Sequence, residues 1–162
     1  MWWVVAVVTV VVLVSTYLTW TASRVDRLHA RAEAAAKGLD AHLLRRAAAA
    51  AVLAEERGAL ELYAAARIAL DAAPEEREAA ENDLTRQLRS LPLDPDAEAL
   101  VAASRRLALA RQVHTDLVRD ALSARRRPVV RLLRMTRRHP APEYFDIDDP
   151  VLVPAPVLPA LP

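Results

Sequence analysis

The sequence predicts an all-α fold: an N-terminal transmembrane helix that continues into the long helix of an antiparallel three- or four-helix bundle, with a disordered Pro-rich C-terminal tail. An uncharged apolar run, Trp2 to Trp20, opens the chain. Alanine and leucine dominate the remainder, and both favour helix. Only two glycines occur, and the prolines fall between apolar stretches or near the C-terminus. We divide the chain into an anchor (1–22), a helical bundle domain (23–147) and a tail (148–162).

The apolar run has the length and the ends of a transmembrane helix. As a helix it would cover about 28 Å at a rise of about 1.5 Å per residue, close to the ~30 Å hydrocarbon core of a bilayer. Trp2, Trp3, Tyr17 and Trp20 stand at its ends, where aromatic rings favour the headgroup levels. Two alternatives remain, a buried core helix and a cleaved signal peptide. A signal peptide would need a basic first segment and a small residue at Trp20.

The charges beside the run predict its orientation. No Lys or Arg precedes it, whereas Arg24, Arg27, Arg31 and Lys37 follow it. Basic residues beside a span favour the cytoplasmic side. We therefore expect a single-pass protein of the cell membrane, with its N-terminus outside and its bundle in the cytoplasm.

Apolar spacing and helix breakers predict the remaining helices. The first helix should continue to Gly58, because no proline interrupts an apolar stripe at three- and four-residue steps: Leu28, Ala32, Ala35, Leu39, Leu43, Ala47, Ala50 and Ala54. A second stretch covers about 59–73, and Pro74 with two glutamates should start a third. A turn at 91–96 precedes a helix over about 95–126, which Pro128 should end or kink.

The composition excludes several classes of chemistry. The chain has no cysteine, and two glycines are too few for a Gly-rich phosphate loop. No His-Glu-x-x-His motif occurs, so we expect neither a metal nor another cofactor. The net charge of +1 gives no general field for nucleic acid, and no nucleic-acid partner is expected. We expect no enzyme; a membrane hydrolase using Glu55 or Glu56 is the less favoured alternative.

Two sequence blocks, Gly38–Arg46 (GLDAHLLRR) and Ala110–Asp120 (ARQVHTDLVRD), combine aspartate with spaced or paired arginines. They resemble blocks of the LemA family of bacterial membrane-anchored helical proteins. The first is similar to the family's hydrophobic residue, Asp, spacer, Leu and paired Arg, and the second to its stretch ARRFYNDAVRD. Pro128 followed by Glu143–Asp146 (EYFD) keeps the family's order of a proline and a terminal aromatic pair. The resemblance implies a divergent helical scaffold without catalytic residues.

The candidate interaction residues come from these blocks and from the aromatic pair. They are Arg45, Arg46, Arg111, His114, Asp116, Arg119, Asp120, Tyr144 and Phe145. We expect the paired arginines of the first block to meet the acids of the second across the bundle, in ion pairs that set helix register more than stability. His114 should be a partly buried member of an apolar face, and the two aromatic residues should anchor on the bundle.

The stretch 119–138 is rich in arginine and has three interpretations. It could be a solvated helix face, a surface that contacts anionic lipid, or a nucleic-acid site, which the lack of aromatic residues disfavours. The lipid-surface candidates are Arg125, Arg126, Arg127, Arg131 and Arg134. We expect the bundle to bind a protein partner or to form a homo-oligomer at the membrane. The alternative is a factor that organises anionic lipid or the envelope through 119–138.

Overall fold

The computed structural model describes residues 1–92, 94–133 and 140–152, and every regular element in these ranges is helical. The helices are α1 (Trp2–Arg57), α2 (Leu60–Asp71), α3 (Arg77–Arg89), α4 (Glu98–Arg125) and α5 (Pro128–Leu132), with a 3-10 turn at Pro95–Ala97 before α4. An all-α chain with one long, apolar N-terminal helix is therefore confirmed.

Helix α1 runs from the apolar run into the charged region without a break. The later part of its predicted stripe is buried: Ala32, Leu39, Leu43, Ala47, Ala50 and Ala54 are each at most 3% exposed. In contrast, every side chain from Met1 to Tyr17 is exposed. The same helix thus has an apolar exposed half and an amphipathic half with one buried face.

The threonine hydroxyls within the apolar run are bonded inside the helix itself. Thr9 Oγ1 donates to the Val5 carbonyl at 2.8 Å, and Thr16 Oγ1 donates to the Val12 carbonyl at 2.9 Å. Bonding to the carbonyl four residues earlier removes the need for water at these two hydroxyls. These threonines can therefore lie in a medium that offers no hydrogen-bonding partners.

The predicted breakers lie between the helices. Pro74, Glu75 and Glu76 form a turn, and α3 begins directly after it. Pro128 is in the first turn of α5, where the missing amide hydrogen of proline costs nothing.

Gly58 ends α1 with a positive φ of 63°. Gly58→Ala is expected to lower the free energy of unfolding by about 1 kcal/mol, because a Cβ disfavours this left-handed conformation. No neighbouring atom lies within 4 Å of the added Cβ, so the loss should be conformational rather than steric. Denaturant unfolding of the full chain in mild detergent measures it. Gly58→Asn should lose less, and an alanine variant as stable as the wild type would contradict this account of the helix end.

The chain divides into two compact units. The first comprises Met1–Ala35 with Thr115–Tyr144, and the second comprises Ala36–His114 with Phe145–Pro162, of which residues 145–152 are described at the C-terminal end.

The second unit contains two apolar clusters. The larger joins residues of α1, α2, α3 and the first turn of α4, including Ala50, Leu53, Leu62, Ala66, Leu84, Leu88 and Leu100. Many members are alanine, whose small side chain allows helices to approach closely. The smaller cluster consists of Leu39, Leu43, Leu107 and Ile147, with Ala110 and Phe145 packed against it.

The first unit buries a short face of α1 directly after the apolar run. Thr21, Val25, His29 and Ala32 are buried there, and so are Val118, Ala121, Ala124 and Val130 from the later part of the unit. His29 Nε2 lies 3.1 Å from Arg125 Nη1, and His29 Nδ1 lies 2.9 Å from the Val25 carbonyl oxygen. Because arginine can only donate, Nε2 accepts and Nδ1 carries the hydrogen.

The segment after Tyr144 is extended and packs within the second unit. The amide of Asp146 donates to Glu78 Oε1 at 2.9 Å, and that of Asp148 to Asn82 Oδ1 at 2.8 Å. Leu152 is 2% exposed and belongs to the larger cluster. The start of the predicted tail, 148–152, is therefore ordered by these contacts, contrary to the expected boundary at 148; residues 153–162 lie outside the described residues.

Candidate functional site

A fully buried polar cluster lies in the second unit. Arg46 on α1 and Glu81 on α3 form an ion pair at 3.1 Å, with side chains 0% and 1% exposed. Arg46 Nη2 also donates to Thr85 Oγ1 at 2.8 Å, and that hydroxyl donates to the Glu81 carbonyl at 2.8 Å. We call Arg46, Glu81 and Thr85 the buried triad.

The helix positions of these residues explain why they meet. Glu81 and Thr85 are four residues apart on α3 and share one face with Leu84 and Leu88, which is the buried face of that helix. Arg46 directly precedes the buried Ala47 of α1. The triad therefore occupies positions that apolar side chains would normally fill.

Burial dominates the electrostatics of the triad. Desolvation raises the pKa of Glu81 to about 7, against the opposing attraction of Arg46. Desolvation also lowers the pKa of Arg46, although a guanidinium stays protonated in proteins. Glu81 Oε1 and Arg46 Nε have no hydrogen-bond partner among the described residues. The triad is thus only partly satisfied, which makes it sensitive to any change in its members.

The triad is suited to fixing the pairing of two helices. Among the described residues, no group of three or more His, Asp or Glu side chains is arranged to hold a metal ion. A single buried charge pair has one complementary register, because any shift of one helix would leave two charges buried and unpaired.

The structure corrects the predicted ion-pair network. Arg46 pairs with Glu81, not with the second family-like block, and Arg45 is exposed. Asp116 pairs instead with Arg119 on its own helix, at 3.2 Å, with both side chains more than half exposed. Asp116 is two residues from His114 and so points away from the buried face of α4. Arg111 is half-buried and Asp120 is exposed.

Sequence reasoning missed Glu81 and Thr85. A signal was present: a charged residue and a threonine stand at the three- and four-residue spacing of Leu84 and Leu88. Such positions predict burial, and a buried acid requires a cation from another helix.

His114 is buried, as its place on the apolar face predicts. Its side chain is 5% exposed, its Nδ1 has no partner among the described residues, and burial lowers its pKa. The unfolded chain, with the ordinary pKa of about 6.5, then binds more protons than the folded chain at mildly acidic pH.

We therefore expect the contribution of His114 to stability to be lost as the pH falls from about 7 through 6.5 towards the lowered pKa of folded His114, whereas Glu81, whose pKa is raised, has the opposite effect on stability over this range. The stabilising contribution of neutral His114 is fully present above pH 6.5. In His114→Phe this part of the pH dependence should disappear, while the exposed control Gln112→Ala should keep it. Unfolding curves at a series of pH values measure the effect, and an unchanged pH slope in the His114 variant would contradict it.

The aromatic pair is divided. Phe145 is half-buried against the smaller cluster of the second unit, as expected of an anchor. Tyr144, in the first unit, is 50% exposed, which differs from the expected packing. Its neighbour takes the inward position because side chains alternate along an extended segment.

The lipid-surface candidates also differ among themselves. Arg125 is half-buried and contacts His29 and the Pro140 carbonyl, so it is part of the packing of the first unit. Arg126, Arg127 and Arg131 are exposed. Arg134 lies outside the described residues.

Comparison with known proteins gives no assignment: no family model matches the chain, and no curated protein or solved structure is significantly similar to it. The resemblance of Gly38–Arg46 and Ala110–Asp120 to the LemA family accordingly stays a prediction.

Proposed function

We propose that the chain is a non-enzymatic, single-pass membrane protein whose helical domain binds a protein partner or a second copy of itself at the cytoplasmic face of the cell membrane. The observation that carries this proposal is the contrast within α1 between an exposed apolar half and an amphipathic half that is packed. The LemA-like blocks agree with a membrane-tethered scaffold.

The membrane assignment rests on the apolar surface of α1. Among the residues that the structure describes, one helix, α1, is long and apolar enough to cross a membrane by length and composition, a test that soluble core helices and signal sequences also pass. Trp3, Val8 and Leu13 are 71%, 57% and 64% exposed, unlike the side chains of a soluble core helix. Leaving such a side chain in water costs about 1.5–3 kcal/mol relative to burying it, and insertion into a bilayer removes this cost.

Continuity of α1 supports an anchor over a cleaved leader. Thr21 and Val25, within two turns of Trp20, are already buried in the first unit. The packed surface therefore begins where the apolar run ends, which favours a run that is retained as part of the protein.

The contacts of the second unit support the antiparallel bundle. Arg57, the last residue of α1, donates through Nε to Asp96 before α4, at 3.0 Å. Earlier in α1, Leu39 and Leu43 join Leu107, further along α4, in the smaller cluster. Residue numbers fall along one helix as they rise along the other, which is the pattern of an antiparallel pair.

An exposed apolar pair on α4 offers a surface for a partner. Leu109 and Val113 are 64% and 54% exposed and lie one turn apart on one face. Such a pair is typical of the anchor positions by which one helix binds another. A partner helix, or the same face of a second copy, would remove them from water.

Crosslinking of the full chain in native membranes, followed by mass spectrometry of the crosslinked peptides, tests this function. We expect adducts near 109–113 that disappear in Leu109→Lys/Val113→Lys and persist in Leu60→Lys/Ile68→Lys, which adds the same charge to exposed positions of α2. The absence of any oligomer or partner adduct in the wild type would contradict the proposal.

A further inference from the structure

Three arginines line a shallow groove on α1 just after the apolar run, and we propose that this groove binds the phosphate of an anionic phospholipid. The groove is lined by Trp20, Arg24, Arg27, Leu28 and Arg31, all in the first unit. The proposal rests on the proposed insertion of residues 2–20 in the membrane. It places a lipid contact on α1, which is distinct from the predicted contact through the arginine-rich stretch 119–138.

The spacing of the three arginines gathers their charges on one face. At about 100° per residue, Arg24, Arg27 and Arg31 lie within about 60° of the helix circumference. Asp26 and Glu33 lie about 130° and 150° from the centre of this face by the same count, and both have interactions of their own. These two acidic residues therefore do not neutralise the positive charge of the groove.

The three guanidinium groups are available to a ligand. The Arg24 guanidinium carbon lies 5.7 Å from the centre of the Trp20 ring, a cation–π contact that orients the side chain towards the apolar run. Arg27 and Arg31 are exposed, and neither forms an ion pair with any residue that the structure describes. Guanidinium groups bind phosphate oxygens in pairs of parallel hydrogen bonds, which suits a phosphodiester.

The position of the groove along α1 matches the headgroup layer of a bilayer. If Trp20 marks the edge of the hydrocarbon, Arg24 and Arg27 stand about 6 and 10 Å beyond it and Arg31 about 16 Å beyond. The headgroup layer is about 5–8 Å thick on each side. Arg24 therefore lies within this layer, and the Arg27 side chain can reach it because long side chains on a helix point back towards the N-terminus, whereas Arg31 must extend further back. The Trp20 ring and Leu28 give the groove an apolar border that acyl chains can cover.

The test uses the full chain, purified in detergent and reconstituted into nanodiscs of phosphatidylcholine and phosphatidylglycerol in equal amounts. Native mass spectrometry counts the lipids that stay bound when the protein is released. We expect phosphatidylglycerol to be enriched on the wild type, and the enrichment to fall up to about fivefold for each arginine removed near the surface. Arg24→Gln and Arg27→Gln should each lose more than Arg31→Gln.

A matched control separates this site from net charge. Arg45→Gln/Arg105→Gln/Arg106→Gln removes the same charge from exposed positions of the second unit and should keep the enrichment. Equal loss in the control and in Arg24→Gln/Arg27→Gln/Arg31→Gln would overturn the proposal. Glutamine preserves helix propensity, so unchanged circular dichroism of the variants confirms that the fold is retained.

Two further arms distinguish the possible failures. Reconstitution into phosphatidylcholine alone reports insertion: a chain that does not insert contradicts the proposed function itself. A chain that inserts but carries both lipids in the bulk ratio contradicts only the lipid site. Displacement of phosphatidylglycerol by millimolar inorganic phosphate would show a site for free phosphate, and would overturn the assignment to lipid.

Discussion

Glu81→Ala is expected to lower the free energy of unfolding by about 3–5 kcal/mol, the largest effect of any single substitution proposed for this chain. Arg46 is 0% exposed and its Nη1 lies 3.1 Å from Glu81 Oε2. Because arginine does not lose its proton, removal of the carboxylate leaves an uncompensated cation in an apolar interior. The measurement is denaturant unfolding of the full chain in mild detergent, at a pH above the Glu81 pKa of about 7.

Two variants show whether the lost partner, rather than the lost side chain, causes the effect. Arg46→Met/Glu81→Leu replaces both charges by apolar groups and should recover most of the stability, since paired burial of charge gains little net free energy. Glu61→Ala removes an exposed acid from α2 and should change stability by at most about 0.5 kcal/mol. A loss below about 1 kcal/mol for Glu81→Ala, or a double variant as unstable as the single one, would contradict the account of the buried triad.

Val8→Arg/Val11→Arg should release the protein from the membrane. Each charged residue near the centre of a span opposes insertion by about 2.5–3.5 kcal/mol, whereas each valine or leucine favours it by only about 0.3–0.6 kcal/mol. Two arginines one turn apart therefore offset most of the apolar run. Alkaline carbonate extraction of membranes should recover the variant in the supernatant and the wild type in the pellet.

Val8→Leu/Val11→Leu is the matched control, because it keeps the run apolar and should stay in the pellet. If the double arginine variant sedimented like the wild type, the apolar run would not be what attaches the chain to the membrane.

Local pattern predicts most of the helical fold. The stripe of α1 identified its buried face because one unbroken helix repeats every 3.6 residues, and Gly58 and Pro128 marked helix ends because their backbone preferences are intrinsic. His114 could be placed in the interior for the same reason: it continues the spacing of Leu107, which is 0% exposed. Helical spacing and backbone preferences depend only on residues that are close together in the sequence.

Contacts between distant parts of the chain were not predictable in this way. Arg46 and Glu81 are on different helices, and helical periodicity relates only residues of the same helix. By this reasoning the partner of the buried arginine could have been any acid on another helix. Asp116 was the more prominent candidate by resemblance, but its position about 200° from His114 on α4 excludes it from the buried face. A charge at an apolar position was therefore more informative than a charge within a recognisable block.

The C-terminal segment shows a second limit. Its prolines exclude a helix, and composition alone then predicts a disordered tail. Yet an extended chain can still be ordered when side chains elsewhere accept its amide hydrogens, as Glu78 and Asn82 do for Asp146 and Asp148. Those acceptors lie on α3, more than 60 residues earlier in the chain, and no local pattern links them to the segment.

Cysteine labelling in intact cells tests most directly whether residues 2–20 span the bilayer with the N-terminus outside. The chain has no cysteine, so single cysteines can be introduced without background. With a membrane-impermeant maleimide, we expect Trp2→Cys to be labelled in intact cells, Ala73→Cys only after permeabilisation, and Val11→Cys in neither case. Labelling of Val11→Cys to the extent of Ala73→Cys would show that the run is not in the bilayer. Labelling of Ala73→Cys in intact cells would contradict the cytoplasmic placement of the helical domain.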